Sequence, residues 1–273
     1  MVLTKYLTEY IWNYYFYQDG NIELEVRLTG ILQTYLSKPN EPNPYGSTVA
    51  PQISAQYHQH IFSIRVDPMV DGLGNSVVET DVLPSPSPMG SNANFAGNAF
   101  VTKSQVLKVE GSRDYSWDAD RRWKIVNPSR KHYASGEDAG YGIAMKGGLV
   151  PLLARDESWI GQRAKFASKP LWVVKEKEVE GKGTQRMWPS GKYVPQSRGE
   201  PNDSVGKWVA EGGNIENDDI VLFLTFGLWL LLGNLDLIDS FLARCNTYPA
   251  PGRFPCVSCC RCLSFVPCLI HCF

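Results

Sequence analysis

Two histidines separated by one residue, His58 and His60, have the side chains and spacing best suited to chemistry in this sequence. They lie in the segment Gln56-Tyr57-His58-Gln59-His60-Ile61-Phe62-Ser63-Ile64-Arg65-Val66, whose alternation is that of a half-buried strand. Residues two apart on a strand project to one face, so both imidazoles can reach a single ion. Imidazole suits copper, zinc, iron and nickel. Two histidines do not close such a site, and the remaining histidines are His132 and His271. Two structural histidines would show the same spacing, so the pair alone leaves metal binding open.

The cysteines form a second constellation. All seven fall between Cys245 and Cys272, so nothing before residue 245 depends on a disulfide. Cys256, Cys259, Cys260, Cys262, Cys268, His271 and Cys272 can be written as a zinc site. Their spacing is too short and irregular for a known finger. The alternative is that the last forty or so residues are unselected sequence, as from a shifted reading frame.

The elements that must position these residues read as strands. Residues 10–36 form two, with Gln18-Asp19-Gly20-Asn21 as the hairpin turn. Residues 56–67 form another, with His58, His60, Phe62, Ile64 and Val66 on one face. Residues 37–47 and 83–98 are loops rich in Pro, Gly and Asn. Short alternations recur from Phe100 to Val126. Leu171-Trp172-Val173-Val174, Lys207-Trp208-Val209 and Ile220-Val221-Leu222-Phe223-Leu224 read as further strands. Residues 155–169 are the best helix candidate. Near Leu228 the strand period is lost. Residues 220–243 are apolar, but Asn234, Asp236 and Asp239 interrupt them. They read as a buried strand entering unrelated sequence rather than a membrane span.

With 273 residues, 43% of them hydrophobic, the chain can bury a sizeable core. A net charge of −1 gives no electrostatic case for nucleic acid or an acidic membrane. Aromatics at 12%, with 24 Gly and 18 Pro, favour many strands joined by turns. The start, Met1-Val2-Leu3-Thr4-Lys5-Tyr6, shows no signal peptide.

The neighbours of the histidines carry a resemblance. Residues 46–67, running on to Val70-Asp71-Gly72 and Asn75-Ser76-Val77, resemble the copper-binding segment of copper amine oxidases. Phe16-Tyr17-Gln18-Asp19-Gly20-Asn21-Ile22-Glu23-Leu24-Glu25-Val26-Arg27-Leu28 resembles the strand pair after that family's cofactor tyrosine. Arg163-Ala164-Lys165-Phe166-Ala167, Leu171-Trp172-Val173, Gly191-Lys192-Tyr193-Val194-Pro195-Gln196-Ser197 and Asn214-Ile215-Glu216-Asn217-Asp218-Asp219-Ile220-Val221 are also similar. The resemblance is colinear from about Glu9 to Gly227.

The resemblance implies a mainly β fold, part of a large antiparallel β-sandwich. It implies a partial catalytic domain at 1–228 and a divergent tail at 229–273. It also implies oxidation of primary amines by dioxygen to aldehyde, ammonia and hydrogen peroxide, in a homodimer. The cofactors would be copper and topaquinone, the latter made from a tyrosine of the protein. His58 and His60 match two copper ligands. The third ligand position falls at Leu230, whose alkyl chain cannot ligate. Glu9 and Tyr10 match the end of the family's Asn-Tyr-Asp/Glu-Tyr motif, so Leu7 and Thr8 fall where the asparagine and the precursor tyrosine belong. The nearest tyrosines are Tyr6 and Tyr10. The catalytic aspartate belongs to a segment upstream of this chain, so no catalytic residue is intact here. Asp67, the Met69 neighbourhood, Asp219 and the backbone of Ile220 match parts of a calcium site. For Asp67 and Asp219, strand-end capping or an ion pair with Arg65 is the alternative. Two readings follow: a working primary-amine oxidase, or a catalytically dead relative that binds metal weakly through His58 and His60.

Overall fold

The computed structural model describes residues 2–5, 8–30, 33–145, 149, 152–192, 198–230, 240–241 and 267–272. In chain order the first strands are β1 (Val2–Lys5), β2 (Thr8–Phe16), β3 (Ile22–Gly30), β4 (Thr34–Leu36), β5 (Gly46–Ala50) and β6 (Ile53–Gln56). Then come β7 (His58–Val66), β8 (Ser76–Pro84), β9 (Phe100–Val106), β10 (Gly111–Arg113), β11 (Arg122–Lys131) and β12 (Asp138–Ile143). The helix α1 (Trp159–Arg163) precedes β13 (Leu171–Lys175), β14 (Glu178–Val179) and β15 (Gly183–Thr184). Helix α2 (Val205–Val209), β16 (Ile220–Leu230), β17 (Ser240–Phe241) and β18 (Pro267–Cys272) complete the set.

Three sheets matter for the site. One runs β1-β2-β3-β17, a second β10-β13-β16-β7-β18, and a third β12-β11-β8-β9. Every pairing within them is antiparallel. The β2–β3 hairpin turns where Gln18-Asp19-Gly20-Asn21 predicts it, with Gly20 at φ 85°, a conformation glycine adopts without a Cβ penalty.

The second sheet is buried on both faces. Phe62, Ile64, Val66, Leu171, Val173, Leu222, Leu224 and Phe226 join Tyr10, Trp12, Leu24 and Val26 of the first sheet in one core. Ile61, Trp172, Val174, Val221 and Phe223 face the other way, onto Phe166, Val205 and Trp208. A strand covered on both faces gains from apolar side chains at every position, which explains the unbroken run Leu171–Val174.

Three expectations change. Lys207-Trp208-Val209 is not a strand but the end of α2. Ser204 precedes that helix, the Trp208 N–H donates to the Ser204 carbonyl, and Val205 and Trp208, three apart, bury on one face. The helix candidate at 155–169 contracts to α1, capped by Ser158 Oγ accepting from the Gly161 N–H, and a 3₁₀ turn over Lys165–Ser168. The strand starting at Ile220 persists through Leu230, beyond the point where its period fades, because β7 pairs with it along that length. Beyond that point β17 pairs with β3, and β18 pairs with β7 from Pro267 to Cys272. Of the cysteine-rich stretch 245–273, the described residues are those of β18.

Candidate metal centre

His58 and His60 open β7 and share a face, with ring centroids 4.8 Å apart. His60 is 1% exposed. The face they share is the one turned toward β2, because Tyr10 lies with its ring centroid 5.7 Å from His60 and 5.8 Å from Phe62. Trp12 continues the contact at 6.4 Å from Phe62. Descending β2 from Trp12 to Tyr10 therefore descends β7 from Phe62 to His60.

The hydrogen bonds settle what each ring can offer. His58 Nδ1 lies 3.0 Å from the Gln56 carbonyl oxygen, which can only accept. The proton of neutral His58 therefore sits on Nδ1, and the Nε2 lone pair is left for a metal. His60 Nδ1 lies 3.0 Å from Tyr10 Oη. A hydroxyl can accept as well as donate, so the Nδ1–H of a metal-bound His60 has an acceptor in place. Burial pushes the Tyr10 hydroxyl up to about 12, so it stays a neutral phenol at physiological pH. Two imidazoles oriented through Nδ1 suit a borderline ion such as Cu²⁺ or Zn²⁺.

The cross-strand register places the other family positions. On β16, Leu228 is the partner of His60 and Leu230 the partner of His58. Leu230, which the resemblance sets at the third ligand position, is thus the backbone cross-strand partner of His58. Thr8 begins β2 opposite Gly30, two residues before Tyr10. Position 8 fits no quinone, because a threonine has no ring to oxidise. Tyr6 lies outside the described residues. His132 sits past β11, bonded through Nδ1 to Ser135 Oγ. Among the described residues, no three His, Cys, Asp or Glu side chains gather to hold a metal ion.

The carboxylates gather at the far end of the same strands, where β7 ends and β16 begins. Arg65, 2% exposed, donates through Nη1 to Asp67 Oδ2 at 2.8 Å and through Nη2 to Glu176. The ion pair with Arg65 foreseen for Asp67 is therefore formed. Among the described residues no cation pairs with Asp219. Burial first, then repulsion from Asp67, Glu176, Glu178 and Asp218, pushes its carboxyl up to about 6. Its Oδ1 is buried without a hydrogen-bond partner. Ile220, fully buried, is the partner of Lys175 at the start of β16.

Sequence reasoning placed His58 and His60 together but missed how their rings are held. Tyr10 was read only as the end of a motif, although it lies 50 residues from His60 and bonds to it. The signal available was its place on the inward face of an alternating strand. The cysteines at 256–262 lie outside the described residues, so the zinc arrangement has no geometry to compare.

Two oriented imidazoles on one strand, with an inward tyrosine from the facing sheet, sit in a protein of stacked antiparallel sheets. Residues 1–229 match the family model described as copper amine oxidase, enzyme domain, and the chain belongs to that family. A copper-containing benzylamine oxidase from Hansenula polymorpha superposes with a TM-score of 0.81 at 30% identity, covering 91% of this chain and 38% of that one. The peroxisomal primary amine oxidase of Pichia angusta is 39% identical over 251 residues, 90% of this chain and 33% of that protein. Copper amine oxidase 1 of Schizosaccharomyces pombe is 39% identical over 252 residues, 90% of this chain and 32% of that protein. The chain thus spans about a third of the length of these curated relatives.

Proposed function

We propose that this chain is a catalytically silent form of the amine oxidase enzyme domain that retains a metal-binding histidine pair. The observation that carries the reading is the residue at position 8. Thr8, two residues before Tyr10 on β2, stands where the resemblance sets the precursor tyrosine, and this supports the reading. No self-processing to topaquinone can start from a hydroxyl without a ring, and no other protein side chain replaces the electron sink such a cofactor supplies. Leu230 beside His58 weakens the copper centre further.

His58 and His60 bind a divalent ion through Nε2, copper by family and zinc by the same chemistry. The carboxylates of Asp67 and Asp219 with the Ile220 backbone form a weak calcium-like site, supported by the unpartnered Asp219 Oδ1. The working-oxidase reading, with a primary amine, dioxygen and a homodimer as in the family, rests on family membership. One experiment separates the two readings. The purified chain is loaded with Cu²⁺ in air and assayed for peroxide with a simple primary amine. Copper uptake that His58→Ala abolishes, with no peroxide, is the expected result; turnover of the amine would overturn the silent reading.

A further inference from the structure

β7 has a strand on each side, and β18 is the outermost strand of that sheet. Gln59 through Ile64 pair on one side with Trp229 through Leu224 of β16. On the other side they pair with Cys272 through Pro267 of β18. Both registers are antiparallel and run through this stretch without a bulge. Alternate residues of an antiparallel strand turn their N–H and C=O to opposite sides. The backbone of residues 59–64 is therefore fully bonded only while both neighbours are in place.

The edge that β18 covers is an unfavourable one to leave bare. β7 is nine residues long, and Ile61, Phe62, Ile64 and Val66 are all buried. A long apolar strand with a row of unpaired N–H and C=O groups is a template for another strand. The cover itself is lightly held. Pro267–Cys272 contains no Asp, Glu, Lys or Arg, and its one proline stands at the first position, where a strand tolerates a missing N–H. Among the described residues β18 pairs with β7 alone, so a single row of backbone bonds attaches it. Each such bond has a modest net worth. β18 also lies outside the family match, which ends at residue 229.

We propose that the edge of β7 is a strand-acceptor surface, that residues 267–272 occupy it in cis, and that the same segment of a second copy of this chain can take their place. Exchange between copies forms the same hydrogen bonds in the same register, so it loses no bonding. The recognition is by main chain, with an uncharged extended segment as the ligand. The proposal is independent of whether His58 and His60 bind metal.

The test uses the full chain under reducing conditions, with amide hydrogen exchange read residue by residue by nuclear magnetic resonance. In the unmodified chain consecutive amides from His60 to Ser63 are expected to be protected. Protection at every second residue only would mean that β18 is not bonded there, and would overturn the proposal. The double variant Leu269→Pro with Ile270→Pro removes two adjacent N–H groups, one of which faces β7 whichever way the register alternates. It is expected to lose protection at the β7 amides that face β18 and to keep it at those that face β16. The probe for the second copy is a labelled peptide of the sequence Pro267–Cys272, capped at both ends. It is expected to bind the double variant and to restore the lost protection. Unchanged β7 protection in the double variant, or no peptide binding while the β16-facing amides stay protected, overturns the proposal. Should the β16-facing amides be lost as well, the peptide in excess over the unmodified chain decides. Label retained on the chain through gel filtration supports strand exchange, and a chain free of label overturns it.

Discussion

His58 has one tautomer available while the Gln56 carbonyl accepts its Nδ1–H, so its metal-facing nitrogen is chosen before any ion arrives. His60 depends on Tyr10 for the same service. Tyr10→Phe removes that acceptor without changing the ring contacts to His60 and Phe62. It is expected to weaken Cu²⁺ or Zn²⁺ binding about 10–100-fold, the usual cost of an outer-shell partner, measured by calorimetric titration. Asp219 makes a different prediction. Its carboxyl keeps a proton to about pH 6 in the fold against 3.8 when unperturbed. Between these values the folded chain binds more protons than the unfolded one, so its contribution to stability declines as pH rises through that window. Without added cation, Asp219→Asn should therefore melt higher than the unmodified chain at pH 7. The difference should shrink to nothing below about pH 4, outside that window. Millimolar Ca²⁺ should raise the melting temperature of the unmodified chain at pH 7 and leave Asp219→Asn unmoved; a calcium response retained in the variant would remove Asp219 from the site.

At the scale of elements, β7 is the organiser. It pairs with β16 on one side and β18 on the other while its two faces meet separate cores. Local pattern was enough to read β3, β7 and β13, because alternation or an unbroken apolar run marks how each is covered. It was not enough for Lys207-Trp208-Val209, where three residues cannot distinguish a strand from one turn of helix. There the decision belongs to Trp208, which packs 5.8 Å from the Phe223 ring across the second core. Trp208→Ala is expected to cost about 3–5 kcal/mol in denaturant unfolding, as for other buried aromatics, by emptying the space between α2 and the sheet. A loss below about 1 kcal/mol would mean α2 is not part of that core. The pairing of β18 with β7 was not legible at all. The sequence separation between His60 and His271 is spanned by long-range register, which no local period encodes.

At the scale of the whole molecule, the proposed silent reading is of a family fold kept while its chemistry is undone at single positions. The family match covers residues 1–229, which hold both cores and the histidine pair. The departures this reading invokes are Thr8 on β2 and Leu230 on β16. A core tolerates such changes because packing needs only shape and apolarity, whereas cofactor formation needs one ring at one place. The direct measurement is the visible absorption of the copper-loaded chain after incubation in air, before and after phenylhydrazine. The expected spectrum shows copper ligand-field bands alone, unchanged by the hydrazine. A phenylhydrazine-reactive chromophore, carried by Tyr6, Tyr10 or another tyrosine, would contradict the account.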